Sequence, residues 1–221
     1  MIYTSAVSLA GRYHAERGMN SQDRYSAVSG NDCSAAVLCD GAGSFAAGEL
    51  AAELVSGTLA EFLCRSFEEC FAEKQDVLLR RLVMIVEDTL NVCAREKGLD
   101  PGEMACTILA AVMHEDGRCL CLHLGDGMIL RRRQHGNGLE LVSRPANGID
   151  SSSTYLTMNC SLFEHLRLFR WKQEDIEGIF LLTDGSDTPE MTERPADDCT
   201  CVSLIRSSRI VLIPQRAEQE S

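Results

Sequence analysis

A chain of 221 residues, 45% hydrophobic and 24% charged, is long enough for one domain with a substantial core. Its formal net charge of -12 argues against a nucleic-acid partner, which needs a basic face, and suits a site that gathers metal cations. No apolar run approaches a membrane span, and Met1-Ile2-Tyr3-Thr4 lacks the basic segment and apolar core of a secretory signal, so a cytoplasmic protein is expected.

Loose alternation over Ile2 to Ala10 predicts a first strand. The polar stretch from Tyr13 reads as a loop that returns to a second strand over Tyr25 to Ser29. Ser29-Gly30-Asn31-Asp32 is a hairpin turn, and the third strand runs from Ser34 to Cys39. Two long helical patterns follow, Ala46 to Arg65 and Lys74 to Lys97, the second stopped by Gly98-Leu99-Asp100-Pro101-Gly102. Strands then dominate. Cys106 to His114 and Arg118 to Leu124 flank the hairpin signal Glu115-Asp116-Gly117. Gly125-Asp126-Gly127 interrupts the next pairing, and Met128 to Arg133 and Leu139 to Ser143 form another hairpin. A polar connection over Pro145 to Thr154 leads to strands at His165 to Trp171, Ile179 to Thr183, Thr200 to Arg206 and Arg209 to Ile213. With no repeat or linker, residues 1–214 read as one domain and 215–221 as a polar tail. The many hairpins favour two packed antiparallel sheets, with the long helix pair on an outer face.

Eleven scattered cysteines without a Cys-x-x-Cys pair read as reduced, intracellular thiols. Cys119, Cys121 and His123 alternate along one strand and share a face. They read as small core residues beside a hydrogen-bonded histidine, since strand alternation rarely closes a tetrahedral zinc shell.

The chemistry centres on Ala35 to Leu54: an apolar strand ends in Asp40-Gly41, passes through small residues and opens an Ala-rich helix. A carboxylate at the tip of a buried strand costs free energy unless a cation or a bound water compensates it. A second apolar strand ends the same way, at Asp184-Gly185. Asp23, Asp126 and the pair Asp197-Asp198 are also acidic strand-end or turn positions. Any one alone reads as a turn residue. Together, with no Cys/His cluster, they read as an oxygen-rich site for a hard divalent cation.

Six motifs then resemble those of one family in their order. They are Tyr13-His14 followed by Asn20-Ser21-Gln22-Asp23, then Asp40-Gly41-Ala42-Gly43-Ser44, Ala105-Cys106-Thr107, Leu124-Gly125-Asp126-Gly127, Leu181-Leu182-Thr183-Asp184-Gly185 and Asp197-Asp198-Cys199-Thr200. The chain resembles metal-dependent protein phosphatases of the PP2C (PPM) family, in its compact bacterial branch. The resemblance implies an α+β sandwich of two antiparallel sheets flanked by helices. It implies hydrolysis of phosphoserine and phosphothreonine on proteins by a hydroxide bridging two Mg²⁺ or Mn²⁺ ions. Asp40 would bridge the ions, the Gly41 carbonyl would bind one, and Asp184 and Asp197 the other. Asp126 would serve a third, weaker ion. Asp23, Gln22 and Asp198 would act from the layer behind, through water or hydrogen bonds. Asp198→Asn is expected to be nearly silent, because Asn is the common family residue there.

The chain also departs from the family. Gln22 stands where animal members have Glu, and the phosphate-binding Arg has no certain match; Arg17, Arg24 and His14 are the candidates. His14 and Arg17 are therefore counted with Asp40 and Asp184 as catalytic candidates. The short segment from Ser186 to Ala196, with Pro189 and Pro195, predicts a reduced helix layer near the C-terminus. The implied partners are a phosphorylated protein and a cognate Ser/Thr kinase. Two other readings stay open: a phosphoprotein-binding module that has lost turnover, and a phosphatase for small metabolites.

Overall fold

The computed structural model describes residues 1–18, 21–136, 138–147, 154–158, 160–185, 195 and 197–206. Ten strands form two five-stranded antiparallel sheets. One holds, in spatial order, β1 (Ile2–Leu9), β10 (Cys199–Arg206), β9 (Ile176–Leu182), β6 (Met128–Arg133) and β7 (Leu139–Ser143). The other holds β2 (Asp23–Ser29), β3 (Cys33–Asp40), β4 (Ile108–His114), β5 (Arg118–Leu124) and β8 (Arg167–Lys172). Two long helices, α2 (Gly48–Arg65) and α4 (Gln75–Lys97), pack together, and α2 lies on β2, β3 and β4.

β3 is buried along nearly its whole length because each of its faces meets a different partner. Cys33, Ala35, Val37 and Cys39 join Leu59, Leu63, Leu82 and Leu90 of the helices in one core. Ala36 and Leu38 point the other way and pack with Leu109, Ile129, Leu181 and Val202 between the sheets. A strand covered on both sides loses the polar/apolar alternation of a surface strand, which is why its sequence reads as a continuous apolar run. β9 is built the same way: Ile179 and Leu181 face the inter-sheet core, and Phe180 and Leu182 face outward into a smaller cluster with Leu130 and Cys201.

Most of the expected elements are present, with shifted ends. The strand before Asp184 starts at Ile176, and the second strand starts at Asp23. Helix α4 stops at Gly98, whose backbone is left-handed with φ 67°. Three short helices were not expected: α1 (Arg12–Glu16), where a loop was read, α3 (Phe67–Ala72), and α5 (Leu162–His165), which takes in the His165 expected to open a strand. Gly125-Asp126-Gly127 does interrupt pairing, because there the chain leaves β5 in one sheet for β6 in the other. The expected strand at residues 209–213 lies outside the described residues. So does nearly all of the segment 186–196 that carried the expectation of a reduced helix layer.

All eleven cysteines are free, and only Cys160 is not buried. His123 is fully buried, with Nδ1 2.8 Å from the Ser143 hydroxyl and Nε2 3.0 Å from the Gly125 carbonyl. Nε2–H must donate to that carbonyl, which leaves Nδ1 to accept from Ser143. Burial first, and then the Arg167 charge, push this imidazole down to about 3, so it stays neutral as a structural group.

Candidate active site

The antiparallel topology brings Asp23, Asp40, Asp126, Asp184 and Asp197 to one end of the sandwich. Asp40 closes β3, and its register partner Asp23 opens β2. Asp184 follows β9, and Asp197-Asp198 precede β10, its antiparallel neighbour. Asp126 lies in the crossing from β5 to β6.

Backbone and hydroxyl contacts fix these tips. The Asp40 N–H donates to the Thr107 hydroxyl (3.0 Å), and the Thr107 N–H donates to the Asp40 carbonyl (2.9 Å). Ala42 N–H continues the pairing to the Ala105 carbonyl at 3.0 Å. The Ala-Cys-Thr motif is thus a clamp that holds the end of β3. A Cβ on Gly41 would lie 2.6 Å from the Gly48 carbonyl carbon, so only glycine lets the start of α2 fold beneath the Asp40 tip. Gly185 is tighter still, since a Cβ there would meet the Asp198 carbonyl oxygen at 2.1 Å. That close approach sets the Asp184 turn against Asp197-Asp198. Thr183 links the same elements: its hydroxyl donates to Asp23 Oδ2 at 3.0 Å and accepts the Thr200 N–H at 2.8 Å. The Thr154 hydroxyl donates to Asp126 Oδ2.

The electrostatics divide the carboxylates into two kinds. Burial first, then the charges of Asp23, Asp184, Asp126 and Asp197, hold Asp40 well above the ordinary carboxylate range. Burial, followed by Asp126, Asp197 and Asp23, pushes Asp184 up to about 6. Asp184 stands at the open surface, so the desolvation acting on it comes from the protein behind its carboxyl. Asp23 also rises to about 6; burial drives it, partly offset by hydrogen bonds from Thr200 and Thr183. Its Oδ1 is buried without a hydrogen-bond partner.

Asp198 behaves in the opposite way. Burial would raise it, but hydrogen bonds from His14, Gly11 and Gln22 outweigh that and hold it below its ordinary value. Its Oδ1 lies 2.7 Å from the Gly11 N and 2.8 Å from His14 Nδ1, and its Oδ2 lies 2.6 Å from the Gln22 N. Asp198 therefore pins both ends of the segment containing α1 to the start of β10. This corrects the expectation that Asp198→Asn is silent: an amide would turn one acceptor into a donor facing an N–H.

The remaining candidates are placed as follows. His14 is in α1, mostly buried against Asp198. Arg17 caps the end of α1 at the surface. Gln22 accepts the Gly41 N–H on its carbonyl at 3.3 Å. The Arg24 guanidinium donates to the carbonyls of Ser21 (2.6 Å) and Asp23 (2.7 Å) and pairs with Glu49. That occupies Arg24 as a brace between β2 and α2. Asp197 is exposed, and its Oδ1 accepts the Asp198 N–H at 2.8 Å.

Among the described residues, no three His, Cys, Asp or Glu side chains are grouped closely enough to hold a metal ion as they stand. The donor set nevertheless fits a hard cation. Carboxylates gather around Asp40, whose pKa burial and their charges raise, and Asp23 behind it keeps a buried oxygen without a hydrogen-bond partner. A dication is the group that would offset the repulsion among these like charges.

Comparison with known proteins agrees with this architecture. The sequence pattern of protein phosphatase 2C matches residues 10–208, and the chain belongs to that family. Among solved structures, a bacterial serine phosphatase superposes with a TM-score of 0.66 at 16% identity, covering 95% of this chain and 100% of the other. The serine/threonine phosphatase Stp1 from Staphylococcus aureus gives a TM-score of 0.65 at 16% identity, covering 94% of this chain and 96% of its own. RsbX, solved in complex with magnesium, gives 0.62 at 11% identity, covering 93% and 96%. At these identities the likeness is one of fold. No curated protein sequence matches the chain. Among the described residues, no helix is long and apolar enough to cross a membrane.

Two outcomes follow from the carboxylates. Asp198→Asn leaves a buried donor without an acceptor and should cost about 1–3 kcal/mol in urea unfolding at neutral pH. Because Asp198 is depressed in the folded state, its stabilisation is present above the ordinary carboxylate range and is lost as pH falls through the folded value. The gap between wild type and variant should therefore close in acid. Asp23 and Asp184 have the other sign. Raised from 3.8 to about 6, they bind protons more tightly in the folded chain, so their contribution is favourable below the unfolded pKa and is lost as pH rises through the folded value. Metal-free protein should melt at a higher temperature near about pH 5 than near about pH 7.5, and saturating Mn²⁺ should remove that difference by competing with the protons.

Proposed function

We propose that the chain is a Mg²⁺- or Mn²⁺-dependent hydrolase of phosphoserine and phosphothreonine on proteins. The observation that carries this reading is the placement of Asp40, a half-buried carboxylate facing four others at the open end of the sandwich. Membership of the protein phosphatase 2C family supports phosphatase chemistry, and RsbX with magnesium supports a divalent ion for the fold.

Asp40 and the Gly41 carbonyl would hold the ions from one sheet, and Asp184 and Asp197 from the other. Asp126 would serve a separate, weaker ion. When bound, the ions supply a water activated as nucleophile at neutral pH and neutralise phosphoryl charge.

The protein's own residues do the rest. Asp23, beside Asp40 and anchored by Thr183, orients water with its unpartnered Oδ1. Gln22 places the loop through its main chain, on Asp198 at one side and Gly41 at the other. Asp198 accepts Nδ1–H of His14, so Nε2 is the atom that carries or releases a proton. His14 in this setting donates a proton to the departing serine or threonine oxygen. Arg17, at the end of the same short helix, supplies positive charge for the phosphate. Arg17 and His14 are the phosphate candidates, and Arg24 is engaged by Glu49 and two carbonyls. The expected setting is a cytoplasmic signalling pair with a Ser/Thr kinase.

The tests are enzymatic. Hydrolysis of an aryl phosphate and of phosphopeptides should require Mg²⁺ or Mn²⁺ and stop in excess chelator. Sugar and nucleotide phosphates should be poor substrates by comparison. Asp40→Asn and Asp184→Asn should fold normally by circular dichroism, because the apolar strands behind them provide the packing. Each should lower turnover by about 10³-fold or more, with Asp126→Asn milder. Near-normal turnover by either folded variant would refute the assignment, and an inactive wild type that binds phosphoprotein would identify a binding module instead.

A further inference from the structure

The end of the β3–α2 unit remote from Asp40 carries a second chemical feature. Cys33 opens β3 and Cys64 lies in the last turn of α2. Their sulfurs are 3.7 Å apart, and each thiol faces the other residue's carbonyl, at 3.4 Å for Cys33 and 3.8 Å for Cys64. Both are buried but not sealed. They form part of the wall of a recess of about 170 Å³, together with Gly30, Asn31, Asp32 and His114. The Gly30 turn is exposed, and a Cβ there would sit 3.3 Å from the Cys64 sulfur and 3.8 Å from that of Cys33. The missing side chain leaves the sulfurs reachable by a small reagent. Cys39, Cys106, Cys119 and Cys121, by contrast, have no exposed surface.

We propose that Cys33 and Cys64 form a modification site: a dithiol that a peroxide converts to an intramolecular disulfide. One thiolate attacks a peroxide oxygen, an S–O bond forms, the O–O bond breaks, and water leaves after protonation. The second thiolate then attacks that sulfur, the S–S bond forms, and the sulfenic oxygen departs as a second water. The two thiols are oxidised by two electrons and one peroxide is reduced. Closing the gap to a bonding distance of about 2 Å lies within the reach of side-chain rotation. Burial, and next the neighbouring Cys64, push the Cys33 thiol up to about 12, so the reaction is slow at neutral pH and accelerates as pH rises. The bond would close a ring from residue 33 to residue 64 that contains Asp40 and the Gly41–Gly48 turn.

The experiment uses the full chain, reduced and folded, treated with hydrogen peroxide, blocked with an alkylating reagent and mapped by mass spectrometry after proteolysis. The expected result is one linked peptide pair joining Cys33 to Cys64, lighter by two hydrogens than its parts and released by dithiothreitol. The melting temperature should rise by on the order of 5 °C. Cys64→Ser should abolish both effects, and Cys33→Ala serves if that variant does not fold. Oxidation confined to the half-buried Cys160, or a folded wild type without the 33–64 link, would overturn the proposal. An inactive enzyme would leave the link unaffected, and a missing link would leave the phosphatase reading unaffected.

Discussion

Mutual repulsion among carboxylates at one end of the sandwich is the constraint on which the rest of the structure depends. Asp40 is half-buried and feels Asp23, Asp184, Asp126 and Asp197 together. Gathering these charges adds nothing to stability by itself, because they raise the cost of ionising Asp40. The apolar strands behind them supply the compensation. β3 is covered by helices on one face and by the other sheet on its opposite face, so its tip is held rigidly while carrying an unfavourable charge. Thr107, Thr183 and Thr200 complete the restraint with backbone and hydroxyl bonds that leave the carboxylates little room to turn away.

Asp198 shows how two neighbouring residues of one type are given different work. Asp197 is exposed and contributes its charge to the cluster, whereas Asp198 is buried and committed to Gly11, His14 and Gln22. The lowered carboxylate organises the segment that carries His14.

Much of this was legible in the chain because it rests on local pattern. Asp40-Gly41 and Asp184-Gly185 announce themselves as polar ends of apolar strands, and the hairpins at Gly30 and Gly117 are fixed by turn chemistry. The motif order also led to the family that the chain belongs to. The short helices α1, α3 and α5 were not legible, since four to six residues cannot establish a helical period and tertiary contacts decide them. The anchoring role of Asp198 was hidden for another reason. Its partners lie 176 to 187 residues away in sequence, and no local pattern encodes such a contact. The Arg24–Glu49 brace and the Cys33–Cys64 approach likewise exist only once β2, β3 and α2 are packed.

The central claim is that these carboxylates exist to hold divalent metal. Anomalous diffraction at the manganese edge, from crystals of the chain soaked in Mn²⁺, tests it most directly. The account predicts at least one strong peak between Asp40, the Gly41 carbonyl, Asp184 and Asp197, absent from crystals of Asp40→Asn. A manganese-saturated crystal with no peak at that end of the sandwich, or with peaks only at other surface carboxylates, would contradict it.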